Sequence, residues 1–144
     1  ISYNGIDFIN DSKSTNIDSV KKALESISKK VVLILGGIPK EDDFSEISLF
    51  KKNILKIIVY GEASHKIYNS LPKDISLEWI EKFEDAVQVA IESAVKNSVV
   101  LLSPACASFD QFDNYRKRGK KFKNIVERFY AWILKSKVKT KYYS

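Results

Sequence analysis

Three runs, Val31–Leu35, Ile54–Tyr60 and Val99–Leu102, are apolar at nearly every position, and amphipathic segments separate them. A strand that is apolar on both faces must be covered on both faces. Alternation with helix-period segments therefore predicts a mainly parallel sheet of five or six strands, α/β in class, with helices on both sides. The helix-period segments are Ile17–Ile27, with Val20, Ala23 and Leu24 on one face, and Phe83–Lys96, with Ala86, Val87, Ala90 and Ile91 on one face. Short strands are expected at Ile6–Asn10, with another at Ile1–Tyr3, and at Leu77–Ile80. Short helices are expected around Ser45–Lys51 and Ala63–Ser70, and Pro72 ends the second.

In such folds ligands sit beyond the carboxyl ends of the strands. Three polar loops leave those ends: Asp11–Asn16, Gly36–Phe44 and Ser103–Phe109. The last lies in Leu101–Phe112, which passes from a buried run through small residues and Pro104. It is predicted to open a helix after Phe109, with Asp110 near its start. A helix N-terminus there, and another after Asn16, would present backbone N–H groups to an anion. The C-terminal helical stripe runs from Phe112 through Tyr115, Phe122, Ile125, Val126, Phe129 and Ile133, with Gly119 as a break.

Together the loops carry Asp11, Lys13, Thr15, Lys40 and Ser108, a set of cations and hydroxyls with a single carboxylate near Lys13. It suits a ligand bearing carboxylates or phosphates. It does not suit acid–base hydrolysis, which calls for paired carboxylates or a histidine. The one histidine, His65, reads as a surface helix residue, and the single Cys106 leaves no multi-cysteine metal site. Gly36-Gly37 lacks dinucleotide-fingerprint spacing, and no Gly-x-x-x-x-Gly-Lys phosphate loop occurs.

Charge is uneven along the chain. From Arg116 onward there are eleven Lys or Arg residues against Glu127 alone, whereas the first 115 residues are net −4. The basic character therefore belongs to the C-terminal segment. With no methionine, Ile1 is not expected to be a translation start, and the chain reads as part of something longer. No run approaches the roughly 18 apolar residues of a membrane span.

Asn10-Asp11-Ser12-Lys13-Ser14-Thr15-Asn16, Leu35-Gly36-Gly37-Ile38-Pro39-Lys40 with Asp43-Phe44, Tyr60-Gly61-Glu62, and Leu101–Phe112 with Arg118-Gly119 and Phe122 carry a resemblance. Together they resemble the C-terminal domain of the Mur ligases, and within that family the branch that adds D-glutamate. The resemblance spans residues 5 to about 126 and implies a Rossmann-like domain, taken over residues 1–135, while residues 136–144 read by composition as a basic, frayed tail. It implies an ATP- and Mg2+-dependent, amide-forming ligase of the cytoplasm, monomeric and binding neither nucleic acid nor membrane. Such an enzyme joins D-glutamate to UDP-N-acetylmuramoyl-L-alanine through an acyl phosphate. ATP and Mg2+ would be held mainly by a central domain absent here, so this piece alone should be inactive and contain no catalytic residue. By the same resemblance Thr15, Lys40, Ser108 and the backbone at Phe109 would hold the D-glutamate carboxylates, with Tyr115 lining that pocket. Asp11 would approach the ATP ribose, and Lys13 the phosphates. Ile38-Pro39 departs from the polar residue usual after the glycine pair, which leaves the path of the Lys40 loop open.

Two other functions fit the residues. One is a stand-alone module binding a small anionic metabolite. The other is a nucleic-acid or membrane-surface contact by the basic segment with Tyr130, Trp132, Tyr142 and Tyr143.

Overall fold

The computed structural model describes residues 1–40 and 43–143, with only the backbone from 138 onward. Glu41 and Asp42 of the second loop, and the side chains of Tyr142 and Tyr143, lie outside the described residues. Six strands form one sheet: β1 (Ser2–Tyr3), β2 (Ile6–Asn10), β3 (Val31–Gly36), β4 (Ile54–Tyr60), β5 (Leu77–Trp79) and β6 (Val99–Ala105). Their spatial order is β1-β2-β6-β3-β4-β5. All neighbours pair in parallel except the edge strand β1, which is antiparallel to β2.

Side chains alternate across the pleat, so the sheet divides its apolar residues between two cores. Leu33, Leu35, Ile57, Val59, Val99 and Leu101 face α1 (Ile17–Glu25), a 3-10 helix (Phe44–Asn53) and α2 (Ser64–Ser70). Val32, Ile34, Ile58, Tyr60, Val100 and Leu102 face α3 (Phe83–Ser93) and α4 (Tyr115–Tyr143). The expected doubly covered sheet is therefore the observed one.

Asn16 starts α1 as its N-cap, and its side-chain oxygen accepts from the Ser19 N–H at 2.9 Å. Asn16→Ala should lower unfolding stability by about 1 kcal/mol. In urea denaturation the midpoint should drop at an unchanged m-value.

Several boundaries differ from expectation. The helix after the second loop is 3-10 in type; Asp43 caps it by accepting from the Ser45 N–H at 3.0 Å. α3 ends at Ser93 rather than Lys96. β6 runs on through Pro104 to Ala105 instead of stopping at Leu102. A proline has no N–H for the ladder, and the β3–β6 register shifts at this point, between Ile34 and Gly36. α4 passes through Gly119 without a break. A Cβ at Gly119 would lie 2.6 Å from Asn10 Nδ2, so the glycine serves a close approach of α4 to β2 rather than a kink. The expected boundary between residues 135 and 136 falls inside this helix. No helix among the described residues is long and apolar enough to cross a membrane.

Candidate functional site

The first loop is fastened to the carboxyl end of β6. Asp11 N–H donates to the Leu102 carbonyl at 2.8 Å, and Ala105 N–H donates to the Ser14 carbonyl at 2.9 Å. Between these anchors the Asp11 carboxylate accepts from the Ser14 hydroxyl and, at 3.0 Å, from Ser103 Oγ. Lys13 is exposed at the rim. Beside it a groove of about 500 Å³, lined by Asp11, Lys13, Ser14 and Lys22, lies over the apolar side chains of Ile9 and Ile27.

The second loop is laced to the third. Ile38 N–H donates to the Ala107 carbonyl at 2.8 Å, and Ala107 N–H returns to the Ile38 carbonyl at 3.2 Å. This pairing sets the course of the loop through Pro39. Lys40 Nζ donates to Thr15 Oγ1 at 3.4 Å. Lys66 of α2 donates to the Lys40 carbonyl at 2.8 Å and holds the backbone that carries the cation. The three loops thus meet on one edge, with Lys40 and Thr15 in contact across it.

The third loop departs from expectation. No helix opens after Phe109; α4 begins at Tyr115, and Asn114 Oδ1 accepts from the Lys117 N–H at 2.9 Å. Residues 106–112 instead form a turn closed by the Gln111 and Phe112 N–H groups on the Ser108 carbonyl, at 3.2 and 2.9 Å. Asp110 is a strut rather than a helix start. Its Oδ2 accepts from the Glu62 N–H at 3.3 Å and its Oδ1 from the Gln111 N–H at 3.0 Å. Gln111 ties the turn to the start of α3, accepting from Phe83 N–H and donating to the Glu81 carbonyl, both at 3.0 Å. Where N–H groups of a helix start were expected, the structure has those of a turn. Among the described residues, the N–H groups of Ser108 and Phe109 take no protein acceptor.

Ala105 just before the turn has φ +65, a left-handed conformation that costs a non-glycine residue about 1–3 kcal/mol. Ser108 is buried, while Phe109 is 69% exposed. Tyr115 is partly exposed, with the Arg116 guanidinium 5.7 Å from its ring centroid. Its carbonyl accepts from Ser12 Oγ at 2.6 Å, which joins the start of α4 to the first loop. Among the described residues no side-chain hydrogen bond links Ser108, Phe109 or Tyr115 to Lys40; backbone pairing brings them to the same edge.

Sequence reasoning gave no role to Arg118, which is wholly buried beneath these loops, or to Lys66. Arg118 had a signal: it stands three residues after Tyr115 and four before Phe122, a charged residue at an apolar-stripe position. Burial pushes the Tyr60 phenol well above its ordinary pKa, against the lowering pull of Arg118. Tyr60 is therefore a neutral partner at physiological pH.

One cation, two hydroxyls and unengaged backbone N–H groups around a shared edge can hold a carboxylate with charge-assisted hydrogen bonds. The Asp11 carboxylate, already accepting two hydroxyls, retains lone pairs for a further hydroxyl donor.

Comparison with known proteins shows the family. Residues 1–106 match the family described as Mur ligase, glutamate ligase domain. The UDP-N-acetylmuramoylalanine–D-glutamate ligase of Cytophaga hutchinsonii is 43% identical over 124 residues, covering 85% of this chain and 28% of that one. The ligase of the same name from Koribacter versatilis is 45% identical over 125 residues, 86% of this chain and 27% of its own. That from Pelodictyon phaeoclathratiforme is 38% identical over 133 residues, 92% of this chain and 29% of its own. The chain therefore spans between a quarter and a third of the length of the curated relatives it matches.

Proposed function

The chain belongs to the Mur ligase family, as a glutamate ligase domain, and from that premise we propose that it is the amino-acid-binding part of an ATP-dependent peptidoglycan-precursor ligase. The reaction is the joining of D-glutamate to UDP-N-acetylmuramoyl-L-alanine. The observation that carries this reading is the contact of Lys40 Nζ with Thr15 Oγ1, on an edge shared with the buried Ser108. D-Glutamate needs its two carboxylates held while its amine stays free to attack. One carboxylate would take Lys40 and Thr15, and the other Ser108 Oγ with the Phe109 N–H, Tyr115 closing the side. Holding both ends aims the amine, and that positioning is this domain's share of the catalysis.

The residues near Asp11 fit a nucleotide. Asp11 can accept from a ribose hydroxyl, and the exposed Lys13 can reach a phosphate once the rest of the protein closes over it. ATP, held with Mg2+ mainly by that remainder, would supply the phosphoryl group that activates the acceptor carboxylate. This domain by itself is expected to release no phosphate from ATP in a magnesium-containing assay. Release that Lys13→Ala abolishes would contradict the reading.

The direct test uses the longer protein. Labelled D-glutamate should enter the UDP-linked product only with ATP and UDP-N-acetylmuramoyl-L-alanine present. Incorporation of a different amino acid in its place, or of none, would overturn the assignment.

A further inference from the structure

Arg118 heads the fully buried side chains by volume, and it lies one turn into α4 beneath the loops. A guanidinium has five N–H donors and keeps its charge at any physiological pH. Here Nε donates to Ser12 Oγ at 2.9 Å and Nη2 to the Ser12 carbonyl at 2.7 Å. Nη1 donates to the Cys106 carbonyl at 3.0 Å and to Tyr60 Oη at 3.4 Å. All these acceptors are neutral, and among the described residues no carboxylate lies within ion-pair range of Arg118. For stability alone, an apolar side chain of similar volume often does as well as a buried charge.

An apolar side chain could not join two loops. Ser12 lies between Asp11 and Lys13, and Cys106 lies two residues before Ser108. Through Ser12 Oγ, which also donates to the Tyr115 carbonyl, the same contacts reach the residue beside the proposed amino-acid pocket. We propose that Arg118 is a positioning residue that couples the Asp11–Asn16 loop to the Ser103–Phe109 turn, so that an anionic ligand held by one loop orders the other. Its charge, which no carboxylate pairs within ion-pair range among the described residues, adds a field that favours anions on both. This deepens the function proposed above and rests on that reading of the two loops.

The test is made in the longer protein. In Arg118→Lys a single ammonium can keep one loop carbonyl but cannot bridge both loops. The KM for D-glutamate and the KM for ATP should then rise together, each about fivefold or more. The KM for UDP-N-acetylmuramoyl-L-alanine should stay constant. Binding of D-glutamate should also lose its dependence on a non-hydrolysable ATP analogue. A purely structural arginine would instead lower Tm and the active fraction while leaving all three KM values in place, and that result overturns the proposal. Should Arg118→Lys fail to fold, Ser12→Ala cuts the Nε contact and the tie to Tyr115 while keeping the buried charge on its other partners. It should weaken the same coupling, and unchanged coupling in Ser12→Ala would count against the proposal just as directly. If the wild-type protein incorporates no D-glutamate, both readings fall. If it does and Arg118→Lys keeps its KM values, only the coupling falls.

Discussion

Lys40→Ala in the longer protein is expected to raise the KM for D-glutamate by roughly ten- to a hundredfold, the effect of losing a charge-assisted partner worth about 1.5–3 kcal/mol. Lys40 is exposed, and its Nζ has one protein partner among the described residues, Thr15 Oγ1. Its removal opens no core cavity, so Tm should hold. The KM for the UDP-linked substrate should hardly move, because that substrate does not meet the Lys40 loop in the proposed arrangement. Thr15→Ala and Ser108→Ala remove neutral donors and should have smaller effects on the same parameter. Steady-state kinetics with D-glutamate varied would show this directly. An unchanged KM in Lys40→Ala would assign the lysine to the loop's structure.

Gly37→Ala is expected to cause a large loss of stability. Gly37 has φ +121, a region an L side chain rarely enters, and a Cβ there would lie 2.1 Å from the Ala107 carbonyl oxygen. That oxygen belongs to backbone and already accepts from the Ile38 N–H at 2.8 Å. Nothing at the contact can rotate away, so either the second loop or the third must move. A cost of about 2–4 kcal/mol follows, or a fall of roughly 6–12 °C in Tm. Binding should suffer as well, since the displaced backbone carries Lys40 on one side and Ser108 on the other. Gly5→Ala is the contrast. Its φ is also positive, at +76, but the added Cβ would meet the flexible side chain of Lys96, at 2.9 Å. It should cost less and leave D-glutamate kinetics alone. Equal losses in the two variants would show that backbone conformation, rather than the contact between loops, sets the effect.

What was legible in the sequence is what pattern alone specifies. Val31–Leu35 and Val99–Leu102 are apolar at every position, and only a sheet covered on both faces accommodates such strands. Once the sheet is parallel, its carboxyl ends must gather the loops, which is why the edge carrying Thr15, Lys40 and Ser108 could be anticipated. The departures arise where tertiary hydrogen bonds overrule local preference. Asp110 and Gln111 resemble the first residues of a helix, yet their side chains bond Glu62, Phe83 and Glu81 from other parts of the chain. The helix therefore waits for the cap at Asn114. The apolar run ends at Leu102, but the register shift beside Gly36 lets β6 continue through Pro104 to Ala105. Gly119 suggested a kink, and its lack of a side chain serves contact with Asn10 instead. Arg118 counted as one more charge in a basic segment, although its place on the apolar stripe between Tyr115 and Phe122 was the signal that it turns inward.

In the proposed function one edge of the sheet holds both carboxylates of D-glutamate. The most direct measurement is a crystal structure of the longer protein with D-glutamate or its ligated product bound. One carboxylate should lie within about 3 Å of Lys40 Nζ and Thr15 Oγ1, and the other at the same distance from Ser108 Oγ and the Phe109 N–H. A glutamate bound elsewhere, for instance in the cleft between α3 and α4 lined by Gln88, Arg128 and Trp132, with Lys40 still on Thr15, would contradict it.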